Sequence, residues 1–471
     1  MKNYRTFLSL VALFTLLLSS HAMAAERKIA GLWQGSVSFQ GMSLRLVFHI
    51  DRDSTGSLKA TLDSPDQAVK GIPVSHAEVR GDSLFLDVTV IAGSFLGTLQ
   101  PGDSVVSGSW RQGGMALPVE LRPILAVSEI NHPQEPKPPY PYLAEDVTYE
   151  NRSAGITLAG TLTKPASGGP FPTVLLITGS GPQNRDEELF GQKPFLVIAD
   201  YLTRRGIAVL RVDDRGTGKS TGVFGTATSV DFAGDVKAGV AYLKSRDDID
   251  KKHIGLIGHS EGGLIAPMVA SESKDIAFII LMAGPSLRGD QILMLQDSLI
   301  SSAMGTPSES ISRELQLNRQ LFALEEAGSD TAKLHADIRR ALEESAGKDT
   351  STVGKMTSEQ IEAMAKQFVS PWFRFFISYD PIPTLEKVAC PVLALDGSKD
   401  LQVPAEQNIR GMERAFAKSG NTRAKAMLLP GLNHLFQKAE TGSPTEYAKI
   451  EETVNPEALK TMGDWIEENV K

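Results

Sequence analysis

Hydrophobic and polar positions follow two different rhythms along this chain. Between about Ile29 and Leu125, short segments largely alternate apolar and polar residues, as in Leu44–Ile50, Ser83–Val88 and Leu117–Leu121. A period of two puts alternate side chains on opposite faces of a strand, one face for a core and one for water. Turn residues separate the segments, among them Asp53-Ser54-Thr55-Gly56, Arg80-Gly81-Asp82 and Pro101-Gly102-Asp103. Strands recurring every ten residues or so predict a small antiparallel all-β domain over 26–125, a barrel or sandwich of roughly seven to nine strands.

A proline-dense stretch follows, His132-Pro133-Gln134-Glu135-Pro136-Lys137-Pro138-Pro139-Tyr140-Pro141. Proline cannot donate to a sheet ladder and stiffens an extended chain, so 126–144 reads as a linker. Beyond it, apolar runs of five to seven residues alternate with helical patterns. The runs are Pro172–Thr178, Ile207–Val212, His253–Gly258, Ile276–Met282, Pro391–Leu395 and Ala424–Leu429. Continuous apolar runs suit parallel strands covered on both faces. The helical patterns are Pro194–Arg205, Ser229–Ser245, Gly262–Ser273, Ala405–Lys418 and Pro456–Val470. This predicts an α/β domain over 145–471, a doubly wound, mostly parallel sheet between helical layers. One gap between strands, from Gly284 to Pro391, contains only helical patterns. It predicts a helical cap inserted at about 286–375.

Composition narrows the function classes. With 48 Lys+Arg against 56 Asp+Glu the net charge is −8, which offers no electrostatic footprint for nucleic acid or an anionic membrane surface. The single cysteine, Cys390, excludes an intramolecular disulfide framework and a cysteine-rich metal site. At the N-terminus, Lys2 and Arg5 precede an apolar run from Phe7 to Leu18, then Ser19, Ser20 and Ala22-Met23-Ala24. A basic start, a short apolar core and an A-x-A triplet are the parts of a secretory signal, here 1–24. The run is shorter than the roughly 20 residues that span a bilayer, so no stable membrane anchor is expected. The expected location is the periplasm or the exterior.

Gly258-His259-Ser260-Glu261-Gly262 matches G-x-S-x-G between a predicted strand and a predicted helix. Glycines permit the sharp turn that lifts a serine hydroxyl above a sheet, and the helix start offers the Glu261 amide to a developing oxyanion. Ser260 is therefore the candidate nucleophile. Of the eight histidines, His434 is the one in a loop after a late strand and clear of the motif itself, which makes it the candidate base. Two carboxylates follow the next-to-last strand, Asp396 and Asp400; the second lies further into the loop and is preferred as the partner of His434. The order Ser260…Asp400…His434 is that of the α/β-hydrolases.

Residues of about 146–471 resemble an α/β-hydrolase of the serine esterase and serine-aminopeptidase-like branch. The resemblance rests on Gly258–Gly263, on Asp213-Asp214-Arg215-Gly216-Thr217-Gly218-Lys219-Ser220, on Gly397-x-x-Asp400 and on Gly431-x-x-His434. Leu62-Asp63-Ser64-Pro65-Asp66-Gln67 and Thr178-Gly179-Ser180-Gly181-Pro182 extend it to exported bacterial esterases that carry an N-terminal β-domain. It implies that the Ser180 amide is the second oxyanion donor. It also makes Gly218-Lys219-Ser220 part of a strand-end turn and not a phosphate loop, since Asp213 stands where that loop needs glycine. No dinucleotide, EF-hand or HExxH motif occurs, so no cofactor or metal is implied.

The expected activity is hydrolysis of small to medium carboxylic esters through an acyl-enzyme, with a small-molecule ester as partner. The same triad would also serve an aminopeptidase, which needs an acidic subsite for a substrate amine. A third reading makes the β-domain a glycan binder, with Trp33 and Trp110 as stacking residues and a vestigial hydrolase behind it.

Overall fold

The computed structural model describes residues 29–470 except 40–41, 68, 113–114, 128–130, 329, 349–355 and 357. The expected signal segment, 1–24, lies outside the described residues.

Nine antiparallel strands form the first unit: β1 (Gly31–Phe39), β2 (Met42–Arg52), β3 (Leu58–Ser64), β4 (Val69–Pro73), β5 (His76–Arg80), β6 (Ser83–Val88), β7 (Gly93–Leu99), β8 (Val106–Gln112) and β9 (Met115–Ile124). Their order in the sheet is β4-β3-β2-β1-β9-β8-β7-β6-β5. The edge strands β4 and β5 are consecutive in the chain, so the sheet curls back on itself. Its interior holds Trp33, Phe48, Phe95 and Trp110, with Phe48 6.1 Å from the Phe95 ring and 6.2 Å from that of Trp110. Trp33 and Trp110 are thus core residues, 2% and 3% exposed, and neither can serve as a stacking platform for a glycan.

The second unit is an eight-stranded sheet: β10 (Tyr142–Asn151), β11 (Ile156–Pro165), β12 (Phe171–Ile177), β13 (Ala208–Val212), β14 (Ile249–His259), β15 (Phe278–Met282), β16 (Val392–Gly397) and β17 (Ala424–Leu429). The order is β10-β11-β13-β12-β14-β15-β16-β17, antiparallel up to β13 and parallel from there on. This is the α/β-hydrolase fold. Its first strand begins at Tyr142, three residues before the boundary expected from sequence. Successive residues of β12 serve both layers. Val174 and Leu176 pack toward α1 (Pro194–Arg204) and the C-terminal helix, while Leu175 and Ile177 pack toward α2 (Ser229–Ser245) and α3 (Glu261–Glu272). That is why the strand has no polar position for solvent.

Between β15 and β16 lie α4 (Gly289–Ala303), α5 (Ser308–Glu326), α6 (Thr331–Lys348), α7 (Ser358–Phe368), α8 (Pro371–Ser378) and the short α9 (Ile382–Leu385). The first five form the cap around a core of their own, including Leu321, Leu334, Ile338, Phe368 and Phe373. The chain closes with α10 (Ala405–Ser419) and α11 (Pro456–Asn469). The proline-rich segment is fastened to this unit. Gln134 accepts the Thr453 and Val454 amides at 2.6 and 3.1 Å and donates to the Val454 carbonyl at 2.6 Å.

Candidate active site

Strand β14 ends at His259 and α3 starts at Glu261, which leaves Ser260 as the hinge, with φ 52° and ψ −114°. A positive φ is costly for a residue with a side chain, and such strain persists only where its surroundings enforce it. Here they do. The Ser260 amide donates to the Met282 carbonyl at 2.8 Å, and its carbonyl accepts from Gly263 at 2.9 Å. The glycines of the motif are steric necessities: a Cβ on Gly258 would lie 2.0 Å from the Gly262 oxygen, and one on Gly262 would lie 2.2 Å from the Ile177 oxygen.

His434 and Asp400 come from the turns after β17 and β16, and both are buried. His434 Nδ1 lies 2.7 Å from Asp400 Oδ2. The other Asp400 oxygen accepts the amides of Gln402 and Val403 at 2.8 and 2.9 Å. A carboxylate so occupied makes Nδ1 the protonated nitrogen and leaves the Nε2 lone pair free to take a proton. Among the described residues no hydrogen bond or ion pair joins Asp396 to His434. Burial first, and then the neighbouring Asp400, push its carboxyl well above the usual range, and its Oδ1 has no hydrogen-bond partner. Among the described residues no hydrogen bond joins the Ser260 hydroxyl to His434. Such contacts often close only around a bound substrate.

The loop after β12 runs beside the hinge, since a Cβ on Gly179 would lie 3.3 Å from that of Ser260. The Gly179 amide is committed to Glu187 Oε1 at 2.7 Å, so the exposed Ser180 carries the next amide available for an oxyanion. The Glu261 amide opens α3, where the first backbone N–H groups have no partner within the helix.

Around this centre the sequence carries no sign of Glu187 or Ser229, and it marks Asp214 only as part of a strand-end turn. Glu187, 1% exposed and at φ 50°, accepts from His259 Nδ1 at 3.0 Å as well as from Gly179. Ser229, at the start of α2, donates to Glu261 Oε1 at 2.6 Å. Asp214 accepts from the Thr178 hydroxyl and the Gln183 amide at 2.7 and 2.9 Å, and burial lifts its carboxyl to about 7. Its neighbour Asp213 holds Arg185 at 2.7 Å. The Asp213-Asp214 turn thus clamps the loop that carries Gly179 and Ser180, which is a structural role and not a phosphate site. A cap residue also reaches the hinge, with Trp372 Nε1 donating to Glu261 Oε1 at 2.8 Å. Burial raises the pKa of Glu261.

A family profile described as X-Pro dipeptidyl-peptidase (S15 family) matches residues 154–432, more than half of the chain. The chain belongs to this S15 family. Esterase EstD of Thermotoga maritima is 27% identical to it over 293 residues, 62% of this chain and 61% of EstD. Human dipeptidyl peptidase 8 is 32% identical over 154 residues, 31% of this chain and 17% of that protein. This S15 chain therefore spans about three fifths, or far less, of the length of the curated relatives it matches. Among solved structures, the Pyrococcus furiosus esterase Pf2001 aligns with a TM-score of 0.42 and 17% identity, over 69% of this chain and 93% of that one. The α/β hydrolase GrgF from Penicillium sp. sh18 gives the same score and identity, over 69% and 99%.

Proposed function

We propose that this S15 chain is a serine hydrolase that cleaves carboxylic esters through an acyl-enzyme. The observation that carries the reading is Ser260, held in a strained hinge at the start of a helix, with the buried Asp400–His434 pair on adjacent strand ends. Ser260 attacks the acyl carbonyl as His434 Nε2 takes its proton, and Asp400 steadies the imidazolium that forms. The amides of Ser180 and Glu261 receive the oxyanion; a donor of this kind typically contributes roughly 100–1,000-fold in rate. His434 returns the proton to the departing alcohol and then activates water, which releases the acid. A cavity of about 50 Å³ adjoins Gly179 and Glu261, with Leu176, Phe224, Phe232 and Ile265 in its wall.

The esterase EstD relationship supports ester substrates, and the family description supports a second reading, cleavage of a peptide or aminoacyl bond by the same groups. The experiment is to label the protein with a fluorophosphonate, map the modified residue, and compare p-nitrophenyl esters of increasing chain length with aminoacyl and X-Pro chromogenic amides. Labelling at Ser260 with ester turnover far above amide turnover is expected. Absence of labelling, or labelling at another serine, would sink the assignment, and preferred amide turnover would make the protein a peptidase.

We also propose that the protein is exported, on the strength of the charged, apolar and A-x-A segments of 1–24. N-terminal sequencing of protein recovered from the producing cells should begin at Ala25. A chain that keeps Met1 would refute export by this route.

A further inference from the structure

His259, the residue before the candidate nucleophile, is 4% exposed and yet both its ring nitrogens are engaged. Nδ1 lies 3.0 Å from Glu187 Oε1 and Nε2 lies 3.0 Å from the backbone oxygen of His434. A backbone carbonyl only accepts, so Nε2 carries a hydrogen. A carboxylate also only accepts, and this Glu187 oxygen already receives the Gly179 amide at 2.7 Å. Each ring nitrogen therefore needs a proton of its own, or the proton of the Nδ1 contact belongs to Glu187. Imidazole is a stronger base than a carboxylate by about two pKa units in water, which puts that proton on the ring. Burial by itself would strip it, but the charge and hydrogen bond of Glu187, aided by the His434 carbonyl and by Asp400, outweigh burial and raise the pKa of His259.

We propose that Glu187 and His259 form a buried carboxylate–imidazolium pair that positions the three catalytic loops as one unit. The inference rests on the hydrolase reading of the site. Glu187 holds Gly179, and with it the Ser180 amide. His259 is covalently joined to Ser260. Its Nε2–H holds the peptide carbonyl of His434, whose ring centroid lies 4.8 Å from that of His259. The oxyanion loop, the nucleophile and the base thus meet through two side chains, neither of which touches the reacting atoms. Glu187 adopts φ 50° to reach this place, a conformation that a glutamate has no reason to keep without a fixed partner. The other ionisable groups around the pair are His434, Asp400, Asp396 and Tyr447 on the base side and Asp214 and Glu261 on the oxyanion side. His434 is the one of these that can become a cation, and it does so only when it takes the proton of Ser260, so in the resting site His259 is the positive member of the cluster.

The test uses the full chain and two independent readouts. In wild-type protein carrying ¹⁵N-histidine, one imidazole should keep both nitrogens protonated at a pH above the ordinary histidine range near 6.5, where the other histidines have released a proton. That signal should vanish in Glu187→Gln and in His259→Gln. Each variant should lose about 10–100-fold in kcat and in fluorophosphonate labelling rate, with KM nearly unchanged, because the groups being aligned act in the transition state. The double variant should lose no more than the worse single one, as expected of two residues that act only together. A wild type with no doubly protonated imidazole at that pH overturns the pair, even if the variants fail to fold. Variants that keep wild-type kcat, or single losses that multiply in the double variant, overturn the positioning role. A wild type inert to fluorophosphonate would instead count against the hydrolase reading, since the resonance reports the pair whether or not an ester turns over.

Discussion

Trp372 of the cap donates its indole N–H to the carboxyl of Glu261, the residue that follows the nucleophile candidate, across 2.8 Å. The same carboxyl oxygen takes the Ser229 hydroxyl, so α2, α3 and α8 converge on one buried atom. Trp372 also stacks on Phe376 at 5.1 Å, with the rings 11° from parallel. The cap is therefore coupled to the hinge by a directed bond as well as by packing. Trp372→Phe keeps a ring on Phe376 and removes only the N–H. It should lower stability by about 1 kcal/mol, the usual net worth of one hydrogen bond. It should also slow ester turnover several-fold at every acyl length. Melting curves and a chain-length series check both, and a variant indistinguishable from wild type in each would show that the contact carries nothing.

The candidate triad makes an ordered prediction. Ser260→Ala and His434→Ala should each remove nearly all turnover and leave the melting temperature within a few degrees of wild type, because the two act as one unit. Asp400→Asn should cost orders of magnitude in kcat, since an amide can donate toward Nδ1 and so favours the wrong tautomer. Asp396→Asn should be mild. Burial and the neighbouring Asp400 push that carboxyl toward its neutral form, so an amide of the same shape changes little. Measured kcat for the four variants decides it, and a greater loss at Asp396 than at Asp400 would reverse the assignment.

Much of this arrangement could be read from the chain, for a physical reason. Parallel strands buried on both faces leave continuous apolar runs, and Phe278–Met282, buried at every position, falls inside the run that predicts it. The edge strand Ala424–Leu429 and the helix Ser229–Ser245 also have the bounds that the pattern gives them. The hinge was legible because its glycines are steric requirements within five residues. By contrast, β10 is the antiparallel edge strand and exposes about half of its positions, with Leu143 and Ala144 among them, so its start at Tyr142–Ala144 merges with the proline-rich segment in the sequence pattern. Glu187 and Ser229 carry no local signal. Each owes its place to loops that meet only in the folded chain, and a glutamate or serine outside a motif looks like any polar loop residue. Trp372 stands in an aromatic-rich stretch with Phe373, Phe375 and Phe376, but periodicity cannot reveal which atom an indole N–H will meet.

Asp214 gives the site a pH signature. Burial lifts its carboxyl from 3.8 to about 7 in the folded chain. Between these values the folded state holds a proton that the unfolded chain has released, so stability falls as pH rises from about 4 to 7 and then levels off. The full penalty above pH 7 is on the order of 4 kcal/mol. Asp214→Asn can still accept from the Gln183 amide and can donate to the Thr178 oxygen, so the loop geometry should survive. The variant should match wild type in chemical denaturation near pH 4 and exceed it near pH 8. Equal stability differences at both values would mean that Asp214 stays ionised when folded.

The β-domain and the hydrolase hold separate cores, with Trp33, Phe48 and Trp110 in one and no residue shared with the clusters flanking the second sheet. Every candidate catalytic group lies beyond residue 170. A chain lacking the β-domain should therefore fold and react. Where it is cut matters, because Gln134 bonds the backbone of Thr453 and Val454 just before α11. A chain starting at Asn131 keeps these three bonds and should label with a fluorophosphonate at close to the full-length rate on a small ester-like probe. One starting at Tyr142 loses them and exposes two amides and a carbonyl to water, at a cost of about 1 kcal/mol per bond. It should melt several degrees lower while still labelling at low temperature. The comparison of melting temperature and labelling rate across the three lengths separates anchoring from catalysis. A folded, unlabelled 131–471 chain would show that the curled sheet completes the active site, and the modular reading would then be lost.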